Sequence, residues 1–152
     1  MRSAAQGLQM TAVLKAGTIY FAIVYAIGFL LGTVRVLVLS PRVGETTAVL
    51  FEAPVMLFIS WIAARWSSSR YSVAAKLQPR LAMGAIAFAL LILGELAVSS
   101  LVFGRSLPAT VATYASLPGV VGLSAQVIFA LLPAAHAVLQ RGRKSTSPDA
   151  TE

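Results

Sequence analysis

The chain alternates between long apolar runs and short polar connections. The first run, residues 16–39, contains a single charged residue, Arg35. Comparable runs follow at residues 46–66, 81–103 and 118–139. At about 1.5 Å of rise per residue, each run can cross a hydrocarbon core about 30 Å thick as an α-helix. The pattern therefore predicts an all-α protein, a transmembrane bundle of four helices.

Prolines and polar residues mark where the apolar runs end. Pro41 cannot continue the first helix, and Pro118 opens the fourth. Residues 1–15 are predicted to be a cytoplasmic N-terminal tail, and residues 140–152 a basic, disordered cytoplasmic tail. The connection at 104–117 is rich in small residues, and one alternative for it is a short helix at the membrane interface. The membrane domain thus spans residues 16–139.

Composition favours a membrane protein over a soluble domain. The chain is 58% hydrophobic and 11% charged, whereas a soluble domain is about 45–50% apolar and about 25% charged. It has no cysteine, which excludes disulfides, metal-thiolate sites and a cysteine nucleophile. Its single histidine, His136, excludes a multi-histidine metal site and is predicted to lie at the membrane interface. No cofactor or metal is expected.

The distribution of Lys and Arg predicts the orientation of the helices. The net charge of +7 comes from clusters beside the apolar runs, a pattern that sets topology and attracts anionic lipid rather than nucleic acid. The opposite connections contain only Arg42 and Arg105. Both termini are therefore predicted to be cytoplasmic. The basic residues assigned to the cytoplasmic side are Arg2, Lys15, Arg65, Arg70, Lys76, Arg80, Arg141, Arg143 and Lys144.

Four polar residues fall at one depth in the four helices. They are Arg35, Glu52, Glu95 and Gln126, each five to eight residues from the outer end of its run. The helical rise places all four roughly 8–12 Å below the outer face. Ionisable residues inside a spanning helix are costly, so each is a candidate for function. We predict a polar layer in the outer half of the bundle.

Small residues share helix faces with these polar residues. Gly28 and Gly32 form a G-x-x-x-G on the face of Arg35, and they are predicted to be helix-packing positions. Similar stripes of small, apolar and polar residues occur on the third and fourth helices. The members of these two stripes are Gly84, Phe88, Leu91, Glu95 and Ser99, and Gly119, Gly122, Gln126, Phe129 and Pro133. The stripes predict that the polar layer faces the bundle interior.

The charges within the layer leave three alternatives open. Arg35 and Glu52 flank the first turn almost symmetrically and are expected to pair, since pairing reduces the cost of burial. If Glu95 is also ionised, the layer has one cation and two carboxylates. To avoid this excess negative charge, either Glu95 holds a proton instead or a cation visits the site. Alternatively the layer only locks the packing, with Arg35 bridging both carboxylates, or it faces a second copy of the chain.

Two further observations bear on function. Arg42 and Glu45 lie in the first outer turn, where they are either a rim to the layer or a solvated turn. The sequence contains no H-E-x-x-H, no G-x-S-x-G and no phosphate-binding glycine loop. We therefore predict that the protein is not an enzyme.

The first two helices resemble a pattern found in small, uncharacterised bacterial four-helix inner-membrane proteins. The residues that carry the resemblance are Gly32 and Arg35, then Pro41, Arg42, Gly44 and Glu45, then Glu52, Pro54 and Met56. The resemblance implies a topology and a location in the bacterial inner membrane, and no activity. Small multidrug resistance transporters are also similar in having four helices and a membrane carboxylate. Their glutamate lies in the first helix, where this chain has Arg35.

These observations favour a small, multi-pass integral membrane protein whose polar layer organises the bundle and binds a small ligand or proton. One alternative is a proton- or cation-coupled transporter or channel subunit, working as an oligomer, with Glu95 as its site. Another is an accessory subunit that binds a larger membrane protein through Gly28 and Gly32. The expected partners are the lipid bilayer, a second copy of the chain or another membrane protein, and not nucleic acid.

Overall fold

A computed structural model gives the backbone of residues 2–145 and the side chains of residues 7–142. Within residues 2–145 the chain is helical apart from short connections, and that range contains no strand. A π-helical segment at Arg35–Leu39 separates the first two α-helices. The α-helices are α1 (Arg2–Val34), α2 (Ser40–Val43), α3 (Glu45–Arg70), α4 (Leu77–Leu101), α5 (Leu107–Thr113) and α6 (Leu117–Ser145).

Four stretches of helix are long and apolar enough to cross a membrane. They are Gly7–Val43, Glu45–Arg70, Leu77–Leu101 and Leu117–Gly142. The prediction of an all-helical chain with four long apolar helices is thereby confirmed. We call the end with the turn at Gly44 and with α5 the Gly44 end, and the end with the 71–76 connection the Ser72 end.

The first helix extends further than the apolar run predicts. It begins at Arg2 rather than at residue 16, and it continues through the π-helical segment and α2 to Val43. Residues 2–15 contain no proline and are mostly good helix formers, so the helix continues although its hydropathy falls. The segment predicted to be an N-terminal tail, residues 1–15, is therefore helical from Arg2 onward. Hydropathy locates the part of a helix that suits lipid, not its ends.

Boundaries of α3, α4 and α6 also differ from those predicted by the apolar runs. Helix α3 ends at Arg70 rather than at residue 66, and α4 begins at Leu77 because Pro79 is tolerated in a first helical turn. Helix α6 continues to Ser145, so residues 140–145 are helical and not disordered. The remainder of that predicted disordered tail, residues 146–152, lies outside the described residues. Helix α5 confirms the helical alternative for the 104–117 connection.

The long helices pack so that α1 and α6 each contact both α3 and α4. Alanine is the commonest of the buried hydrophobic residues, and such small side chains let the helices approach closely. The buried cluster has members on α1, α3, α4 and α6 and one in the 71–76 connection. It consists of Val13, Ala16, Tyr20, Val24, Ala63, Ala64, Val73, Met83, Ala87, Leu91 and Phe129.

Two glycines at the contacts of α4 with α1 and α6 stand directly against a neighbouring backbone. A Cβ atom at Gly84 of α4 would lie 1.9 Å from the carbonyl oxygen of Ala130 in α6. A Cβ atom at Gly17 of α1 would lie 2.9 Å from the carbonyl oxygen of Met83 in α4. The absence of a side chain at these positions is what brings α4 this close to both neighbours.

Tyr20 completes the backbone hydrogen bonding of a helix other than its own. Pro133 lies inside α6 and has no N–H, so it leaves the carbonyl of Phe129 without its helical donor. The hydroxyl of Tyr20 donates to that carbonyl oxygen at 2.9 Å, and the Tyr20 ring stacks on Phe129 at 4.4 Å. Tyr20 has no exposed surface. A proline in one helix is thus matched by a tyrosine in another.

Replacing Tyr20 with phenylalanine is expected to lower the free energy of unfolding by about 1–3 kcal/mol, because the Phe129 carbonyl then lacks a donor inside the protein. Reversible unfolding in mixed micelles would measure the loss. The double variant Tyr20→Phe/Pro133→Ala supplies the control, since alanine at 133 restores the helical N–H. An equal cost of Tyr20→Phe with and without Pro133 would contradict this account.

Candidate functional site

The structure sorts the four residues of the predicted polar layer into two groups. Arg35, the first residue of the π-helical segment, pairs with Glu52 of α3. Glu95 of α4 contacts Gln126 of α6 and also Tyr114, which follows α5. We call these three residues the Glu95 cluster. Both groups lie toward the Gly44 end, as the depth argument predicts.

The Arg35–Glu52 pair joins α1 to α3. The distance between Arg35 Nε and Glu52 Oε2 is 2.5 Å, and the side chains are 24% and 17% exposed. A Cβ atom at Gly32 would lie 4.0 Å from Glu52 Oε1, so the glycine lets the carboxylate approach α1. In the π-helical segment the N–H of Ser40 donates to the carbonyl of Arg35, five residues earlier. Such segments occur frequently at functional sites.

Each oxygen of the Glu95 carboxylate accepts a hydrogen bond from a neutral group. The hydroxyl of Tyr114 donates to Oε2 at 2.8 Å, and the Gln126 amide Nε2 donates to Oε1 at 2.6 Å. Among the side chains of residues 7–142, no Lys or Arg forms an ion pair with Glu95. Arg35 therefore contacts Glu52 and does not bridge both carboxylates. Glu95 is the membrane carboxylate that the described part of the chain leaves without a countercharge.

Helix α5 positions Tyr114 for its hydrogen bond to Glu95. The Ser99 and Thr110 hydroxyls are 2.6 Å apart, which ties α5 to α4. At its start, the Ser106 hydroxyl accepts from the N–H of Ala109 at 3.4 Å. Burial, followed by the hydrogen bond and the negative charge of Glu95, raises the pKa of Tyr114 above its ordinary value. Tyr114 is therefore a protonated hydrogen-bond donor at neutral pH.

One hydrogen-bond acceptor of the Glu95 cluster has no donor. The Gln126 oxygen, Oε1, is buried and has no hydrogen-bond partner. The ring of Tyr25 lies beside the cluster, since a Cβ atom at Gly94 would be 3.0 Å from Tyr25 Cε2. Carboxylate, amide and phenol oxygens together suit a proton or a small cation. Among the described residues, no group of three or more His, Asp or Glu forms a metal-binding set.

The two candidate rim residues lie on the exposed turn at the Gly44 end. Arg42 is in the last turn of α2 and Glu45 is the first residue of α3. Gly44 between them has φ of +82°, a backbone conformation that favours glycine. Glu45 has a local role there, since a carboxylate at a helix start meets the positive end of the helix dipole. The structure does not bring either residue into the Glu95 cluster.

Gly28 and Gly32 face α3 of the same chain. A Cβ atom at Gly28 would lie 3.1 Å from the terminal methyl of Met56, and Gly32 faces Glu52. The G-x-x-x-G therefore allows close approach of helices within one chain. A partner protein that used this face would have to displace α3.

Sequence reasoning missed Tyr114 and did not predict the burial of two basic residues at the Ser72 end. His136 is 4% exposed and its ring meets Trp61 edge-on at 3.9 Å, so it is packed between helices and does not lie on the protein surface. Arg80, predicted to be a loop charge, is also 4% exposed. A signal for Arg80 exists in the sequence, because it extends the buried α4 stripe of Gly84, Ala87 and Leu91 by one helical turn.

Comparison with known proteins leaves the geometry as the main guide to function. No protein-family model, curated protein or solved structure matches this chain. The resemblance in the first two helices therefore stays a prediction.

Proposed function

We propose that the protein is a four-helix membrane bundle with both termini in the cytoplasm of a bacterial cell. Support comes from four long apolar helices and from the basic residues concentrated near the Ser72 end. In this orientation the Ser72 end faces the cytoplasm, and the Glu95 cluster lies in the outer half of the bilayer. The inner-membrane location rests on the resemblance in the first two helices.

In this membrane bundle, we propose that the polar layer has two separate roles. The Arg35–Glu52 pair organises the packing of α1 on α3, and the Glu95 cluster reversibly binds a proton or a small cation. The observation that carries the second role is the environment of Glu95, whose carboxylate accepts from two neutral donors and has no cationic partner among residues 7–142. An isolated carboxylate at membrane depth is costly unless a positive charge joins it.

The Gln126 amide gives the cluster a way to accommodate both states of Glu95. When Glu95 is ionised, Gln126 Nε2 donates to it, as the structure has it. When Glu95 Oε1 takes up a proton, rotation of the amide by about 180° presents Gln126 Oε1 as an acceptor for the new O–H. A small cation would instead meet the Glu95 carboxylate and Gln126 Oε1 together. Either event satisfies the buried amide oxygen.

Glu95→Gln is the direct test, because it keeps the shape of the side chain and removes its charge. We expect infrared difference spectra across a pH titration to show a carboxyl band that is present in the wild type and absent in Glu95→Gln. Thermal melting with sodium, potassium and a small organic ammonium ion covers the cation alternative. We expect the responsive cation to raise the melting temperature of the wild type and not of the variant.

Glu45→Gln is the matched control, since it removes an exposed carboxylate from the same end of the protein. It should retain both the titrating band and the cation response. If Glu95→Gln and Glu45→Gln behave alike in both measurements, the binding role is wrong and the layer is structural. Flux assays in liposomes then separate binding from transport, since a transporter subunit would lose flux on Glu95→Gln.

A further inference from the structure

A second buried polar group lies at the Ser72 end, at the opposite end of the helices from the Glu95 cluster. Its centre is Arg80, in the first turn of α4, which is 4% exposed. Arg80 Nε donates to the carbonyl of Ala74 at 3.3 Å, and one terminal nitrogen, Nη2, donates to the carbonyl of Val73 at 3.1 Å. The other terminal nitrogen, Nη1, is buried and has no hydrogen-bond partner. Arg80 thus holds the 71–76 connection and retains unused donors.

Two further side chains at the same end also lack hydrogen-bond partners. His136 of α6 is 4% exposed, and its Nε2 is buried without a hydrogen bond. The imidazole lies within electrostatic range of Arg80 and Arg65, and its packing against Trp61 fixes the ring plane. The hydroxyl of Ser67, near the end of α3, is buried and unpartnered as well. Unsatisfied groups from α3, α4 and α6 therefore occur together at one end of the protein.

No carboxylate accompanies this buried guanidinium among residues 7–142. The acidic residues in that range, Glu45, Glu52 and Glu95, all lie toward the Gly44 end. The exposed residues near the Ser72 end that carry charge are basic, namely Lys15, Arg65, Arg70, Lys76 and Arg141. A buried charge is costly unless a countercharge with hydrogen-bonding capacity joins it. Among the described residues, this end therefore offers the buried Arg80 no anionic partner.

We propose that Arg80 and His136 form a binding site for one phosphate-type oxyanion, either a lipid headgroup phosphate or free phosphate. Arg80 Nη1 donates a charge-assisted hydrogen bond, and His136 contributes Nε2–H as a second donor. The Ser67 hydroxyl is available as a third. The His136 tautomer that carries its hydrogen on Nε2 is the one that such an anion selects.

The depth of Arg80 along α4 agrees with this ligand class. Arg80 is the fourth residue of α4, so its backbone lies only about 5 Å from the helix end. That is the level at which lipid phosphates meet a spanning helix. The 71–76 connection covers Arg80, and Ser72 within it has φ of +51°, an uncommon conformation for a residue with a side chain. The hydrogen bonds from Arg80 to Ala74 and Val73 hold this connection against the guanidinium.

Two probes distinguish the source of the phosphate, and both use the whole protein. Delipidated protein in a neutral detergent is titrated with inorganic phosphate at constant ionic strength, and thermal stability is recorded. In parallel, the protein is released from nanodiscs containing phosphatidylglycerol and analysed by native mass spectrometry. A lipid adduct alone assigns the site to a headgroup, and a phosphate response alone assigns it to a soluble anion. Both results support the site.

His136→Phe is the decisive variant, because it keeps an aromatic ring against Trp61 and removes the donor. We expect it to weaken binding of the responding probe roughly tenfold or more. Arg80→Gln should do the same, and His136→Phe keeps the test valid if Arg80→Gln fails to fold. Arg105→Gln removes an exposed charge at the Gly44 end and should bind like the wild type. Equal binding by wild type and His136→Phe, or no response of the wild type to either probe, would overturn the proposal.

Discussion

Alanine at position 84 is expected to lower the free energy of unfolding by about 3 kcal/mol, at the upper end of typical overpacking costs. The added methyl would lie 1.9 Å from the backbone oxygen of Ala130, and real Cβ contacts essentially never fall below 3.0 Å. The α4–α6 distance must therefore grow by about 1 Å, which loosens the contacts along both helices. A backbone atom cannot move aside as the tip of a flexible side chain can.

Gly122→Ala provides the matched control for this prediction. Gly122 lies in α6, and a Cβ atom there would meet nothing within 4 Å. Because alanine favours helix, this variant is expected to unfold at the same denaturant concentration as the wild type or slightly later. Equilibrium unfolding in mixed micelles, followed by circular dichroism, compares the two variants. Similar midpoints for Gly84→Ala and Gly122→Ala would show that α4 and α6 are not in close backbone contact.

Arg35→Gln is expected to cost about 3 kcal/mol of stability, because it leaves the carboxylate of Glu52 buried without a countercharge. Glu52 is only 17% exposed and, in a bilayer, its short side chain cannot reach the headgroup region. Glu52→Gln should cost less, since a long arginine side chain can extend toward the outer headgroups when its partner is gone. The predicted order of stability is wild type, then Glu52→Gln, then Arg35→Gln.

The double variant Arg35→Gln/Glu52→Gln tests whether the pair acts as a unit. With both charges removed, two amides can bond to each other, so the double variant should be more stable than Arg35→Gln alone. Unfolding midpoints in mixed micelles give the coupling energy directly. Additive losses would mean that the two side chains contribute independently and that the ion pair does not organise α1 against α3.

The common level of these polar residues along the helices could be predicted because helical rise is a fixed length. Counting residues from each outer helix end placed Glu95 and Gln126 at one level, and the structure brings them into contact. The same count placed Arg35 beside Glu52. What counting could not supply is which polar residues contact each other across the layer. That depends on the rotation of each helix about its axis, which the packing of α1, α3, α4 and α6 decides.

Tyr114 could not be placed from the sequence for a different reason. It lies in a connection whose path is set by contacts distant in the chain, such as the pairing of Ser99 with Thr110. Helix α5 has only seven residues, which is too short for a periodic pattern to show which of its sides faces the bundle. Arg80 was misplaced because a charge beside Pro79 is typical of a connection, and hydropathy alone gives no reason to bury it. Its position one turn before Gly84 was the stronger signal.

The π-helical segment at Arg35–Leu39 has a consequence for how this helix tolerates changes in length. Its turn holds one residue more than an α-helical turn would, since the Ser40 N–H reaches back five residues rather than four. Deletion of one residue from the segment can therefore restore a regular helix, whereas a deletion elsewhere in α1 would rotate one side of the helix by roughly 100° relative to the other. Sequences that share this architecture should differ in length at this segment, inside a continuous helical stretch where gaps are otherwise excluded.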